Sequence, residues 1–304
     1  MEKKKVPILF CIFKRMEALE AFKPICQYKP ERLYISADGP RDHVIGEKED
    51  CEKVRQAILD QIDWPCEVKT LFREENLGCT GAIYSGISWF FDHEEYGVIN
   101  EDDVVISLDF FKMCEQLLPL YIDEEKIWLI SSRNHSGRYS ESDEYAFVYY
   151  SNIWGWASWR RAWQKNDNTF KEWNTYKKSK LIKRFGLFQG LMTIRYYNSC
   201  SNPNKTLESW DYTWSYKINI NDGIVICPKV NLAINVGIGV AGSTNYSEDD
   251  QDLYAHLSVG KIKLPLKIKK EIVIDKQQLK DDERDFLRVR MIGLKKKIRK
   301  IFVH

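Results

Sequence analysis

The chain has 304 residues, enough for one large domain or two small ones, and 44% hydrophobic and 13% aromatic residues to fill a core. A formal net charge of +2 gives no overall pull towards nucleic acid, so no nucleic-acid partner is expected. No apolar run approaches the ~20 residues of a membrane span. The short run near the start is cut off by Lys14-Arg15 and does not read as a signal peptide. Eight cysteines are present, none paired at the two-residue spacing of a zinc or redox motif, and Cys11 and Cys227 lie in apolar runs. They read as reduced, structural thiols, which points to the cytoplasm.

In chain order, VPILFCIF (6–13) reads as a buried strand and RMEALEAFKPICQY as helix, made irregular by Pro24. RLYISA (32–37) is strand, 46–62 an amphipathic helix, CEVKTLF (66–72) strand and TGAIYSGISWFFDH (80–93) helix. YGVIN (96–100), LDFFKMCEQLLPLY and KIWLIS (126–131) repeat strand, helix, strand. This alternation predicts an α/β fold with a mostly parallel central sheet flanked by helices. Ligands of such sheets gather at the carboxyl ends of the strands. Beyond residue 131 a polar loop leads into the aromatic stretch FVYYSNIWGWASWRRAW. Helices follow from Trp173 to about Tyr216, then two returning strands, IVICP and NLAINV. Residues 257–304 read as a linker and a last helix.

One stretch breaks the strand logic. In VINEDDVVIS (98–107), Glu101, Asp102 and Asp103 interrupt an apolar run. Like charges held close raise one another's pKa or need a cation. Two explanations stand: a solvated strand end, or Mg²⁺ or Mn²⁺ held by one or two carboxylates with phosphate oxygens and water. A second motif reads as a decoy. Gly237 to Gly242 spells G-x-G-x-x-G, but STNYSEDDQD is a poor helix start and residues 257–265 hold no acid. It is taken as a glycine-rich turn.

The acids after a strand, followed by S-x-DFF, resemble the acid motif of GT-A glycosyltransferases. The chain is similar to those related to N-acetylglucosaminyltransferase I and to bacterial nucleotide-diphospho-sugar transferases associated with capsule or lipopolysaccharide. Five stretches carry the resemblance in order. They are FKRMEAL (13–19), ISADGPR (35–41), residues 75–91 running into 98–111, NIWGWASWRRAW (152–163), and WDYTWSYKININD (210–222) with PKVNLAINVGIG (228–239).

The resemblance implies a GT-A catalytic domain over residues 1–256 and roles for matching positions. Asp103 would be the metal ligand for Mn²⁺ or Mg²⁺, Asp102 would lie near the ribose, and Glu101 would hold metal-bound water. Arg15 would meet the diphosphate, Asp38 the uracil ring, and Gly155 and Trp156 the donor sugar. Asp211 would be the general base, with Glu208 in reserve. Plainer roles stand beside these: Arg15 as a strand end, Asp38 as an Asx turn, Trp156 as core, Asp211 as a helix N-cap. Two features depart from the family pattern. VAGSTNY (240–246) lacks a histidine, with His256 either its substitute or a surface residue. Cys79-Thr80 replaces the basic residue after NLG, leaving diphosphate binding to Arg15.

The expected activity is therefore a metal-dependent, inverting transfer of N-acetylglucosamine or a related hexose from a UDP-sugar. The acceptor would be a surface glycan or a lipid-linked saccharide. The tail FLRVRMIGLKKKIRKIFVH (286–304) has seven Lys/Arg and no acid. It reads either as a basic amphipathic helix making a peripheral membrane contact or as a helix packed on protein. The competing reading is a non-catalytic nucleotide- or glycan-binding module with a GT-A fold. A nucleotidylyltransferase fits less well, since FKRMEAL lacks the glycine-rich loop that class needs.

Overall fold

The computed structural model describes residues 4–134, 136, 144–205, 209–237, 258–285, 287, 288 and 291. Glu208, His256, the run 240–246 and nearly all of the basic tail lie outside the described residues, as do residues 238–242 of the glycine motif.

The first half alternates strand and helix as the hydrophobic pattern requires. The elements are β1 (Ile8–Ile12), α1 (Ala18–Tyr28), β2 (Arg32–Ala37), α2 (Glu47–Leu59), β3 (Glu67–Phe72), α3 (Gly78–His93) and β4 (Tyr96–Glu101). All five residues of β1 are buried, as a central parallel strand covered on both faces must be. Pro24 stands inside α1 and does not end it, while Ala18, Ala21, Phe22 and Ile25 bury one face against the sheet.

The second half adds β5 (Val104–Ile106), α4 (Leu108–Leu120), β6 (Ile127–Ser131), β7 (Tyr145–Val148), β8 (Trp156–Trp159) and the short α5 (Arg160–Trp163). It closes with α6 (Ser179–Phe185), α7 (Leu187–Cys200), α8 (Asp211–Ile220), β9 (Ile224–Pro228) and β10 (Ala233–Asn235). The main sheet runs β3-β2-β1-β4-β8-β6-β9-β7. β1 to β4 are mutually parallel; β8 is antiparallel to both β4 and β6, and β7 to β9. β5 and β10 pair antiparallel as a separate two-stranded sheet. The aromatic stretch thus contains two strands that its pattern conceals. Every residue of β7 and β8 is buried, so neither alternates.

Hydrophobic layers cover both faces of the main sheet. On one face Trp156 stacks on Trp210 with ring centroids 5.7 Å apart, and Trp163 and Trp214 close the group at 5.1 Å. Residues 258–285 run back along the domain. Ile262 N–H donates to Asp109 Oδ2 at 3.2 Å, Leu266 N–H to Gln116 Oε1 at 2.9 Å and Lys269 N–H to the Tyr145 hydroxyl at 3.0 Å. Asp275 pairs with Lys229 at 2.6 Å, ahead of a helical stretch at 276–285.

Candidate functional site

Parallel register brings the sequence-predicted residues to one edge. Ile12 lies opposite Ala37 and Cys11 opposite Glu101, so the segments following β1, β2 and β4 emerge side by side. Arg15, Asp38 and the acidic turn all belong to those segments.

The turn itself is built from both sheets. β4 ends at Glu101, Asp102 and Asp103 form the bend, and β5 starts at Val104. Asn100 donates its side-chain amide to Val104 O at 2.9 Å, stapling the bend, while its Oδ1 is buried without a partner. On the far side Val236 N–H donates to Asp103 O at 2.8 Å, and Gly237 N–H to Asn235 Oδ1 at 2.8 Å. A β-carbon on Gly237 would stand 2.8 Å from both the β-carbon and Oδ2 of Asp103, so only glycine fits against that carboxylate.

Arg15 pairs with Asp102 and lies 3.6 Å from Asp103. One guanidinium therefore faces two carboxyl groups and feels the charge of Glu101 as well. Burial pushes the Glu101 carboxyl well above the usual range, and Asp103, Asp102 and Asp211 raise it further. Burial also lifts Asp102, to about 6, against the lowering pull of Arg15. Burial and mutual repulsion thus disfavour full ionisation of these carboxyl groups, against the opposing pull of Arg15.

Among the described residues, no group of three or more His, Cys, Asp or Glu could hold a metal ion by itself. What the turn offers is hard carboxylate oxygen on a partly exposed Asp103, whose side chain is 25% accessible. That donor set fits Mg²⁺ or Mn²⁺ only where phosphate oxygens and water supply the remaining ligands.

Asp38 is held by its own loops. Oδ1 accepts from Gly39 N–H and Leu77 N–H, both at 2.9 Å, and Oδ2 from the Asn76 amide at 2.9 Å. Burial raises its pKa and these donors lower it. The Asx-type contact is real, and it ties the 38–41 loop to the 75–78 loop. Glu47 anchors the same region, accepting from Lys14 Nζ at 2.6 Å and from Arg41 Nε at 2.9 Å. Those hydrogen bonds, Arg41's above all, hold its carboxyl far below the usual range.

Sequence reasoning missed Arg73. It follows β3 as Arg15 follows β1, and that shared position was the available signal. Its guanidinium donates to the hydroxyls of Ser36 at 3.1 Å and Ser85 at 2.7 Å and makes no ion pair among the described residues. Burial lowers its pKa, with Asp38 pulling the other way. Arg73 thus acts on Asp38, as does Arg55, which donates to the Asp38 carbonyl at 2.9 Å.

Asp211 is the first residue of α8, one place inside the helix, and Trp210 occupies the cap. It is therefore not the N-cap. Burial raises its pKa and a hydrogen bond with Ser209 lowers it. Its charge acts on Glu101 and on the Cys79 thiol, which burial lifts to about 12. Asp211 thus belongs to the same electrostatic group as the acidic turn.

Gly155 and Trp156 part company. Gly155 adopts φ +65°, and an added β-carbon would lie 2.5 Å from Ile106 Cδ1, so glycine is required where β8 meets β5. Trp156 corrects the expectation of a sugar-stacking ring. It is 0% exposed, with Trp210, Trp163 and Trp214 around it. A pyranose has no path to its face, and the indole is core.

No protein-family model matches the chain, and no curated protein does. Among solved structures, the crystal structure of galactosyltransferase LgtC with donor and acceptor sugar analogs aligns over 84% of this chain and 97% of that one. The identity is 10% and the TM-score 0.35. Nothing below rests on so distant a likeness.

Proposed function

We propose that the protein is a GT-A glycosyltransferase that moves a hexose, N-acetylglucosamine or a relative, from a UDP-sugar to a saccharide acceptor with inversion. One observation carries this reading: at the carboxyl edge of β1 and β4, Asp102 and Asp103 of one turn share the Arg15 guanidinium, with Asp103 partly exposed. A nucleotide diphosphate with Mn²⁺ or Mg²⁺ completes that charge pattern.

Asp103 would hold the cation, Glu101 its bound water, and Asp102 the ribose. Arg15 has five N–H donors and uses few of them on Asp102, leaving others for phosphate oxygens. Asp38 Oδ2 keeps a lone pair for the uracil N–H, and the loop it organises fixes the ring's edge. Arg73 adds positive potential to that pocket. Gly155 gives the donor sugar backbone approach, a role that Trp156 does not share. The bound cation supplies charge neutralisation on the leaving diphosphate. Asp211 takes the proton of the attacking acceptor hydroxyl as the new glycosidic bond forms. Its burial keeps its basicity above that of an ordinary aspartate. Glu208 remains the reserve base.

The Arg15–Asp102 pair favours a second reading, a nucleotide-binding module without turnover, because it already offsets part of the negative charge. UDP release from a panel of UDP-sugars, with Mn²⁺ or Mg²⁺ and a glycan acceptor, separates the two. Metal-dependent release supports the enzyme; UDP binding with no release from any donor supports the module.

A further inference from the structure

A cavity of 310 Å³ lies between α7, α8 and the residues after β7. At roughly 30 Å³ per water it holds about ten waters, or one sugar ring and a few waters. Its walls are aromatic: Tyr149, Tyr150, Phe185 and Tyr196 all line it. Ser215 and Asn219 line it from α8, four and eight residues after Asp211, so all three lie along one face of that helix. Tyr196 in turn packs edge-on against Tyr212, with centroids 5.5 Å apart, and feels the charge of Asp211. The cavity therefore continues the helix face that begins at the proposed base.

Two polar groups in its lining are orphans. Gln189 is 4% exposed, and its Oε1 has no partner. Asp282 is 2% exposed; its Oδ1 accepts from Gln278 at 2.9 Å, but its Oδ2 has no partner. An unpaired buried acceptor is costly. Aromatic walls with unpartnered polar groups suit a ligand carrying both C–H faces and hydroxyl groups, which donate and accept.

We propose that this cavity binds one pyranose unit of the saccharide acceptor, along the α8 face that begins at Asp211; the assignment rests on the transferase reading given above. The ring would lie against the tyrosine faces, with one hydroxyl donating to Gln189 Oε1 and another pairing with the Asp282 carboxyl.

The test is saturation-transfer NMR with methyl glycosides of glucose, galactose and N-acetylglucosamine, on the parent and on Gln189→Leu. UDP affinity with Mn²⁺ and thermal stability are measured on both proteins. The expected result is glycoside binding by the parent, weakened at least about tenfold in Gln189→Leu, with UDP affinity unchanged and stability equal or higher. Stability should not fall, because the substitution removes an orphaned acceptor. Glycoside binding absent from the parent, or equal in both proteins, overturns the cavity assignment and leaves the nucleotide reading standing. A drop in the stability of Gln189→Leu without glycoside binding by the parent shows a water-filled structural pocket and also overturns it. Failure of the parent to bind UDP at all removes the transferase reading, and the acceptor assignment with it.

A different observation carries a second proposal. From Trp173 to Leu207 the chain has no Asp or Glu, and six lysines and arginines fall between 177 and 195. On the α6–α7 hairpin, Leu187, Phe188 and Leu191 are 68%, 53% and 51% exposed, and Lys177, Lys180, Lys183 and Arg195 of the same stretch are exposed too. Among the described residues no helix is long and apolar enough to cross a membrane. Exposed apolar and basic side chains in one acid-free stretch match an anionic lipid surface in both charge and hydrophobicity. We infer that the α6–α7 hairpin lies on an anionic bilayer.

Co-sedimentation of the full chain with phosphatidylglycerol-containing and pure phosphatidylcholine vesicles tests this. Binding to the anionic vesicles only, reduced at least about tenfold both by Leu187→Asp with Phe188→Asp and by Lys180→Glu with Lys183→Glu, is expected. No vesicle binding, or binding unchanged in both variants, overturns the assignment, and in the second case the membrane contact lies outside the hairpin. A dimer that the same substitutions dissociate, without vesicle binding, overturns it in favour of a contact between copies of this chain.

Discussion

Gly237 stands so close to Asp103 that a single methyl group on it would intrude to 2.8 Å from the aspartate's Oδ2. The two residues are 134 positions apart in sequence and meet because β10 pairs with β5. Backbone from a late strand thus shapes the space beside an early carboxylate. Gly237→Ala should keep the fold at a cost of about 1–3 kcal/mol while weakening binding of UDP with Mn²⁺ by about tenfold. Thermal melts and calorimetric titration measure the two effects separately; unchanged UDP affinity would mean that the crowding does not reach the ligand.

Asp211→Asn removes the proposed base without adding volume. We expect kcat to fall by roughly 10²–10⁴ and UDP affinity to hold. The parent's rate should also have an acid limb lying above the ordinary aspartate range. The base works only when deprotonated, and burial raises its pKa. Activity therefore rises with pH through that raised value, and the limb should vanish in the variant. A full pH–rate profile that is identical in both proteins would remove Asp211 from the chemistry.

Trp156 should behave as core. Trp156→Ala loses contacts with three other tryptophans and should cost about 3–5 kcal/mol. Trp156→Phe, which keeps an aromatic ring in place, should leave the donor KM within about twofold. Denaturant melts and steady-state kinetics check the pair. A donor KM that rises sharply in the phenylalanine protein at little loss of stability would return the ring to the sugar site.

Asp282 makes stability depend on pH in the direction opposite to a salt-bridged aspartate. Burial raises its pKa to about 7 in the folded protein, with Asp281 and Asp285 adding to the rise and Gln278 and Lys229 opposing it. The folded state therefore holds the proton more tightly than the unfolded chain. Its contribution is full below the unfolded pKa near ~4 and is lost as pH rises towards about 7. The swing is on the order of 4 kcal/mol. Asp282→Asn should flatten that part of the stability–pH curve, and melts from about pH 4 to about pH 8 measure it.

The early fold was legible because each element obeys one rule. β2 falls on residues 32–37, and α4 begins at Leu108 behind Ser107, which accepts from Asp109 N–H. The acidic turn was visible for the same reason: charge inside an apolar run has few explanations. What sequence hid is what depends on strands meeting from far apart. β7 and β8 are buried on both faces, so their aromatic residues gave no alternation, and Trp156 looked like a ligand platform where it is core. Gly237 matched a dinucleotide motif by spelling alone, and only the β5–β10 pairing reveals its contact with Asp103. Arg73 had only its place after a strand to mark it, and that place does not reveal its partners. Its neighbours Ser36 and Ser85 come from another strand and a helix.

The central claim is that the turn at Glu101–Asp103 grips a divalent cation carrying a nucleotide diphosphate. Calorimetric titration of UDP into the parent and Asp103→Asn, each with and without Mn²⁺, tests it most directly. The account predicts that Mn²⁺ tightens UDP binding to the parent by at least about tenfold and that this gain disappears in the variant. Equal UDP affinity with and without Mn²⁺ in the parent, or an undiminished Mn²⁺ effect in Asp103→Asn, would contradict it.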